Sequence, residues 1–275
     1  MLELFKAIVL GFVQGATEFI PVSSSGHLVI VPWLLNWEPF GLLFDTVLHW
    51  GTLLAIFAIF WRDFWAMIRA ALASISRRSL ADPNARMAWF IVLGSIPAAV
   101  VGLLFQDFLE SLFNSPRAAG FFLLITATLL WGSEQLAKRI DRLHGLERLT
   151  LADSLIIGVA QALALAPGIS RSGSTMAAGL ARGLRRDEAA RFSFLLGTPA
   201  FFGAGLLSMM DALAVDPAKV QDQAGILFVG FAVSAVTGFA AIRFLLAYLR
   251  TRSLYLFAGY CTVVGLAVIG LSFVL

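Results

Sequence analysis

Q14-G-A-T-E-F-I-P-V-S-S-S-G-H27 is the stretch that decides how this chain is read. Thr17, Glu18, Ser23, Ser24, Ser25 and His27 fall within eleven residues. Leu10, Phe12 and Val13 precede them, and Leu28, Val29, Ile30 and Val31 follow. Pro21 and Gly26 interrupt helix propensity in the middle of this run. An ionisable group inside an apolar segment is expensive and marks a functional site by default.

The surrounding chain has 275 residues, 59% hydrophobic and 13% charged. A soluble domain of that size needs more polar surface. Spanning a bilayer takes about 20 apolar residues. Runs of that length lie at Leu42–Trp61, Met87–Phe105, Ala118–Leu136, Phe192–Met210, Ile226–Leu246 and Leu254–Leu275. The alternating short strands of a membrane barrel are absent from the sequence. Of the 20 basic residues, 16 fall in four stretches, 62–86, 138–153, 182–191 and 243–253. The stretches between carry Asp107 and Glu110, then Asp211, Asp216 and Asp222. Basic loops face the cytoplasm, so the acidic stretches and both termini are expected outside. The single Cys261 excludes a disulfide within the chain and reads as buried packing. The N-terminus has no strong basic leader with a small-residue cleavage site and is read as retained.

The sequence repeats. At an offset of 147, Gly11 matches Gly158, Gln14 matches Gln161, Ser23 matches Ser170, Ser25 matches Ser172 and Gly26 matches Gly173. Gly51-Thr52 resembles Gly197-Thr198, and the run from Gly94 to Gly102 resembles that from Gly230 to Gly238. Ordered matches argue for duplication. The expected fold is an all-α polytopic membrane protein with an inverted-topology internal repeat. Each half is a re-entrant helix-loop-helix hairpin plus three transmembrane helices. The chain is read as one integral membrane domain, 1–275, with repeats of about 1–140 and 150–275. The hairpins are placed at Leu2–Leu35 and Leu151–Leu184, broken at Pro21–Gly26 and Pro167–Gly173. Three crossings per half invert the second half, and broken helices that meet at the midplane are a known membrane plan.

The hairpins carry the chemistry. Gln14 and Glu18 share a helix face at i, i+4 and can offer oxygens to a divalent cation. Ser23, Ser24 and Ser25 supply hydroxyls and backbone N–H groups at a break. Followed by Gly26 and His27, they read as an oxyanion cradle with a nucleophile–base pair. Arg171, between Ser170 and Ser172, needs an anion at membrane depth, and its planar fork suits phosphate. Together these are the parts of a phosphoryl-transfer or phosphate-hydrolysis site, here acting on a lipid phosphate. Asp45 and His49, at the head of the first full span, read either as groups supporting the site from behind or as interface residues, with the interface slightly favoured.

The motifs Gln14-Gly-Ala-Thr-Glu18, Pro21-Val-Ser-Ser-Ser-Gly-His27 and Pro167-Gly-Ile-Ser-Arg-Ser-Gly-Ser-Thr175 resemble those of the undecaprenyl-diphosphate phosphatase family, the bacitracin-resistance type. The resemblance runs nearly end to end. It implies hydrolysis of undecaprenyl diphosphate to undecaprenyl phosphate and inorganic phosphate, in lipid-carrier recycling for the cell wall. It implies a bacterial inner membrane location with the site opening to the periplasmic side. Glu18 becomes the essential acid, Ser24 and His27 the catalytic hydroxyl and imidazole, and Arg171 the diphosphate clamp. Ser23, Ser25, Gly26, Ser170, Ser172, Gly173 and Thr175 are expected to line the substrate. A divalent ion, Mg²⁺ or Ca²⁺, is expected on Glu18 and Gln14. The family carries Glu or Gln at position 14, and Gln here removes a second carboxylate. Expected partners are the polyprenyl diphosphate and membrane lipid, with a homo-oligomer left open and no nucleic acid. The competing reading is a transporter or flippase of an anionic lipid or solute. The Glu18, Ser24 and His27 cluster argues against it, because transport alone needs no nucleophile.

Overall fold

A computed structural model of the chain describes residues 1–105, 115–215 and 217–274. Asp107, Glu110 and Asp216, assigned above to the outer stretches, lie outside the described residues. The described chain is helical and contains no strand, only one isolated bridge between His144 and Leu184. In chain order the helices are α1 (Leu2–Phe19), α2 (Ser24–Leu35), α3 (Leu42–Arg77), α4 (Pro83–Leu104), α5 (Pro116–Ala137), α6 (Leu151–Leu163), α7 (Arg171–Ala181), α8 (Arg186–Val215), α9 (Pro217–Asp222), α10 (Ala224–Leu249) and α11 (Tyr255–Leu271). Five of them, α3, α4, α5, α8 and α10, are long and apolar enough to cross a membrane. The protein is a multi-pass membrane protein.

At 1.5 Å per residue, α2, α6 and α7 are about 17–20 Å long, too short for a hydrocarbon core of about 30 Å. Helix α11 has 17 residues and ends at Leu271, so the last expected span is shorter than Leu254–Leu275. Helix α3 corrects the sequence reading in the other direction. It runs for 36 residues to Arg77, with a kink at Phe60 (φ −104°, ψ 18°). Most of the basic stretch 62–86 is therefore helix rather than loop. Its Ala, Leu, Met and Arg residues are strong helix formers, and the helix stops only where Arg78 turns left-handed, at φ 48°.

Caps set the other boundaries. Asp82 and Ser115 cap α4 and α5 ahead of Pro83 and Pro116, where the missing proline N–H costs nothing. Thr150 and Asp153 close a reciprocal capping box on α6. The two hairpin breaks are shorter than Pro21–Gly26 and Pro167–Gly173. Gly26 and Gly173 lie inside α2 and α7, because Ser23 and Ser170 cap those helices through the amides of Gly26 and Gly173 (3.2 and 3.0 Å).

Helix α1 packs along α10, and α6 along α4. Helix α3 lies against α10, α8 and α4, while α5 is wedged between α11 and α7. Two glycine crossings make the close contacts possible. A Cβ on Gly11 would stand 2.8 Å from the Gly230 carbonyl oxygen, and one on Gly158 would collide with that of Gly94.

Candidate active site

The site begins at Glu18, in the last turn of α1. Its carboxylate is buried and gathers four side chains. Oε2 accepts from Gln14 Nε2 (2.8 Å), one turn back, and from Ser24 Oγ (2.5 Å), the first residue of α2. Oε1 accepts from Arg171 Nη2 (2.9 Å), the first residue of α7. His49 Nε2, from α3, stands 3.6 Å from Oε2. One carboxylate thus joins the two loops.

The loops also touch directly. Gly168 N points at Ser25 Oγ (3.5 Å), and a Cβ on Gly26 would lie 3.0 Å from Gly168 Cα. Gly168 has φ 100°, open to glycine at little cost, and any side chain there would strike Ala119 of α5. Thr126, also on α5, clamps this loop by donating to Gly168 O (3.1 Å) and accepting from Ser170 N (2.9 Å). Ser23 opposite sits at φ 70°, a position worth roughly 1–3 kcal/mol of strain for a residue with a side chain. Both loops end alike. Ser23 and Ser25 lie 3.3 Å apart, and Ser170 and Ser172 3.2 Å.

Arg171 is held flat. Nη1 donates to the Ser193 carbonyl (3.1 Å), and the guanidinium carbon lies 4.1 Å from the centre of the Phe201 ring. Its head occupies the space that a side chain at Gly197 would fill. Thr175 turns inward to Ser193 Oγ (2.6 Å) and to the Arg171 carbonyl (2.8 Å), so it braces the arginine rather than facing an open site. Ser172 and Gly173 are likewise buried in the cap of α7.

His27 departs from the expected hydroxyl–imidazole pairing. Nδ1 lies 2.7 Å from the Ser23 carbonyl and must carry the hydrogen, since a carbonyl only accepts. In the neutral ring Nε2 therefore accepts from Tyr260 OH of α11 (2.7 Å), whose ring stacks on it. Ser24 is partnered by Glu18 instead. His27 holds the strained Ser23 turn in place.

His49 is the reverse case. Slightly favoured from sequence as an interface residue, it lies beside the carboxylate. Nδ1–H donates to Asp45 O (2.7 Å), and Nε2 stands 3.6 Å from Glu18 Oε2. The sequence held one faint signal for this neighbourhood. Gly51-Thr52 and Gly197-Thr198 were visible as repeat partners, and Gly197 turns out to seat Arg171. Nothing marked Tyr260, Thr126 or Phe201, which arrive from distant helices.

A divalent ion is tested by the oxygens present. Gln14 Oε1 is buried without a hydrogen-bond partner. It and the Glu18 carboxylate are hard oxygen donors of the type that suits Mg²⁺ or Ca²⁺, although the contact between the two side chains is made by Gln14 Nε2. No group of three His, Cys, Asp or Glu side chains is placed for a metal among the described residues.

Residues 7–267 match the bacitracin resistance protein BacA family. The chain is 43% identical to an undecaprenyl-diphosphatase of Methanosphaera stadtmanae over 290 aligned positions, covering 100% of both chains. It is 45% identical to an undecaprenyl-diphosphatase of Pelotomaculum thermopropionicum, covering 98% of this chain and 97% of that one. A third, from Rubrobacter xylanophilus, is 44% identical across 94% and 95% of the two chains.

Proposed function

The chain belongs to the bacitracin resistance protein BacA family, and from that premise we propose that it is a membrane phosphatase that hydrolyses undecaprenyl diphosphate to undecaprenyl phosphate and inorganic phosphate. The observation that carries this reading is the chain Ser24 Oγ–H to Glu18 to Arg171, closed across two loops (2.5 and 2.9 Å). It joins a nucleophile, a base and a phosphate-binding fork.

Ser24 attacks the terminal phosphorus. Its proton passes to Glu18, to which it is already bonded. The new Oγ–P bond forms as the bond to the bridging oxygen breaks, and undecaprenyl phosphate leaves. Water then cleaves the phosphoserine, releasing phosphate and restoring the hydroxyl. Arg171 gives its free capacity to the phosphoryl oxygens, where charge must be neutralised. The serine hydroxyls and the first-turn amides of α2 offer further donors to the anion. Gln14 and Glu18 would hold a divalent ion arriving with the diphosphate. That ion supplies neutralisation of the phosphate oxygens.

The same reading places the protein in the bacterial inner membrane as two inverted repeats, with the site open to the periplasm. Equivalent contacts support the repeat. Gly11 meets Gly230, and their repeat partners Gly158 and Gly94 meet likewise. The basic stretches all fall on one side under this topology. Cysteine labelling from outside, in a Cys261-free background, should modify position 216 and spare position 78.

The direct test is rapid acid quenching of purified protein mixed with terminally labelled undecaprenyl diphosphate. Label on Ser24 and steady phosphate release are expected, with both lost in Ser24→Ala. Release at the wild-type rate by Ser24→Ala would hand the attack to water. No release by the wild type, with the lipid still crossing the bilayer, would return the protein to the transporters.

A further inference from the structure

Helix α3 is longer than a membrane needs. Its 36 residues span about 54 Å, against a hydrocarbon core of about 30 Å. The surplus follows the kink at Phe60. Beyond it one face is buried through Met67, Ala70 and Ser74, and Ser74 Oγ accepts from Trp89 Nε1 of α4 (3.0 Å). The other face is apolar and open. Phe57, Trp61, Trp65, Ile68, Leu72 and Ile75 recur at steps of three and four, each between 38% and 64% exposed. In water such a stripe is unfavourable.

Two arginines border the stripe. Arg62 lies over the Trp61 ring at 5.3 Å and Arg69 over the Trp65 ring at 4.7 Å. Neither guanidinium has a carboxylate partner among the described residues. Asp63, the one acid nearby, is taken by Arg191 of α8 (2.6 Å). Between the two tryptophans an open hollow is lined by Phe57, Trp61, Phe64, Trp65 and Ile68, almost wholly apolar.

We propose that the segment of α3 beyond Phe60 lies in the headgroup layer and binds an anionic phospholipid, its upper acyl chain in the Trp61–Trp65 hollow and its phosphate between Arg62 and Arg69. An amphipathic helix with tryptophan on one face and arginine at its border is built for that depth. Arginine stacked on an aromatic ring keeps its N–H edge free for a phosphate. Each arginine near an anionic lipid surface is worth about a fivefold preference, equivalent to about 1 kcal/mol. The proposal depends on the topology reading only for the choice of the cytoplasmic leaflet, not for the site itself.

The test uses the full chain in nanodiscs. Phosphatidylglycerol and phosphatidylcholine, each brominated in the upper acyl chain, are compared as quenchers of tryptophan fluorescence. The contribution of Trp61 and Trp65 is taken as the difference from a Trp61→Phe/Trp65→Phe variant. Brominated phosphatidylglycerol should quench that difference signal at several-fold lower mole fraction than brominated phosphatidylcholine. In Arg62→Gln/Arg69→Gln the preference should vanish while phosphate release is unchanged. Equal quenching by the two lipids in the wild type would reduce the face to an ordinary lipid contact and overturn the site. No quenching would put the segment in water. Efficient crosslinking through Trp61→Cys between copies would assign the face to a second chain.

Discussion

Glu134 and Glu18 are buried glutamates that each meet an arginine, and they are made differently. Glu134, at the end of α5, is fully covered and fully used. Arg186 of α8 grips it with two nitrogens (2.8 and 2.6 Å), and Leu254 N, ahead of α11, donates to the same carboxylate (2.8 Å). Glu18 meets Arg171 through a single nitrogen, while the other points to a backbone carbonyl. Around Glu18, Gln14 Oε1 has no partner and His49 Nε2 stands off at 3.6 Å. The complete pair ties three helices together. The second pair is joined by one nitrogen, and under the proposed function its remaining donors serve the phosphate. Each carboxylate accepts three hydrogen bonds, and the difference lies in the donors: one bidentate arginine and a backbone amide at Glu134, three separate side chains from α1, α2 and α7 at Glu18.

The comparison breaks most sharply at the acids themselves. Glu18→Gln should cut turnover per folded molecule by about 10³ or more, the scale of losing a charged group aligned with the transition state. Glu134→Gln should act on stability alone. Removing one partner of a buried pair costs roughly 3–5 kcal/mol, so thermal denaturation should show a large loss of stability while turnover per folded molecule stays near wild type. A dead but stable Glu134→Gln would erase the distinction.

Arg171 comes next. Arg171→Ala should lose about 10³–10⁵ in phosphate release, as where arginine stabilises phosphoryl transfer. Arg171→Lys should recover only part, because an ammonium cannot span two oxygens. Full recovery would mean that charge alone is needed. A smaller effect is expected at Tyr260→Phe. It removes the hydroxyl bonded to His27 and should cost about 1 kcal/mol, roughly a fivefold drop in kcat, through looser positioning of the Ser23 turn. The smallest is Gln14→Ala. It should lower turnover a few-fold and raise the divalent-ion concentration needed for half-maximal activity, since one of two proposed ligand oxygens is gone. Unchanged metal dependence would remove Gln14 from the ion.

Much of this was legible before any coordinates. The apolar runs and the two polar hairpins follow from composition and from Pro21, Pro167 and the serine clusters, because local propensity sets them. Glu18 and Arg171 stood out because each is costly at membrane depth unless used. What escaped were contacts between residues far apart in the chain. Tyr260 reaches His27 across 233 positions, and Thr126 reaches Ser170 across 44. A tyrosine or threonine in an apolar helix gives no local sign of its partner. His49 could not be decided between interface and site for a related reason, since its helix reads as a plain span and only packing brings Nε2 to 3.6 Å from Glu18. The true length of α3 was hidden by its arginines, which suggest a loop by charge although they favour helix by propensity.

Ser24 and Arg171 occupy the same slot. Each stands directly after a capping serine, before a second serine and then a glycine, at the start of a helix whose cap bond runs to that glycine (3.2 and 3.0 Å). The frame is a holder that aims whatever side chain it is given at one shared point. For protein engineering, the two slots are sockets around a fixed carboxylate, alike in sequence and cap bond but not in backbone, since Ser23 is at φ 70° and Ser170 at φ −66°. A thiol in the first, or a neutral amide in the second, would change the reaction while leaving the mounting untouched. A scaffold that has already accepted two such different tenants is a natural starting point for enzymes acting on other lipid phosphates.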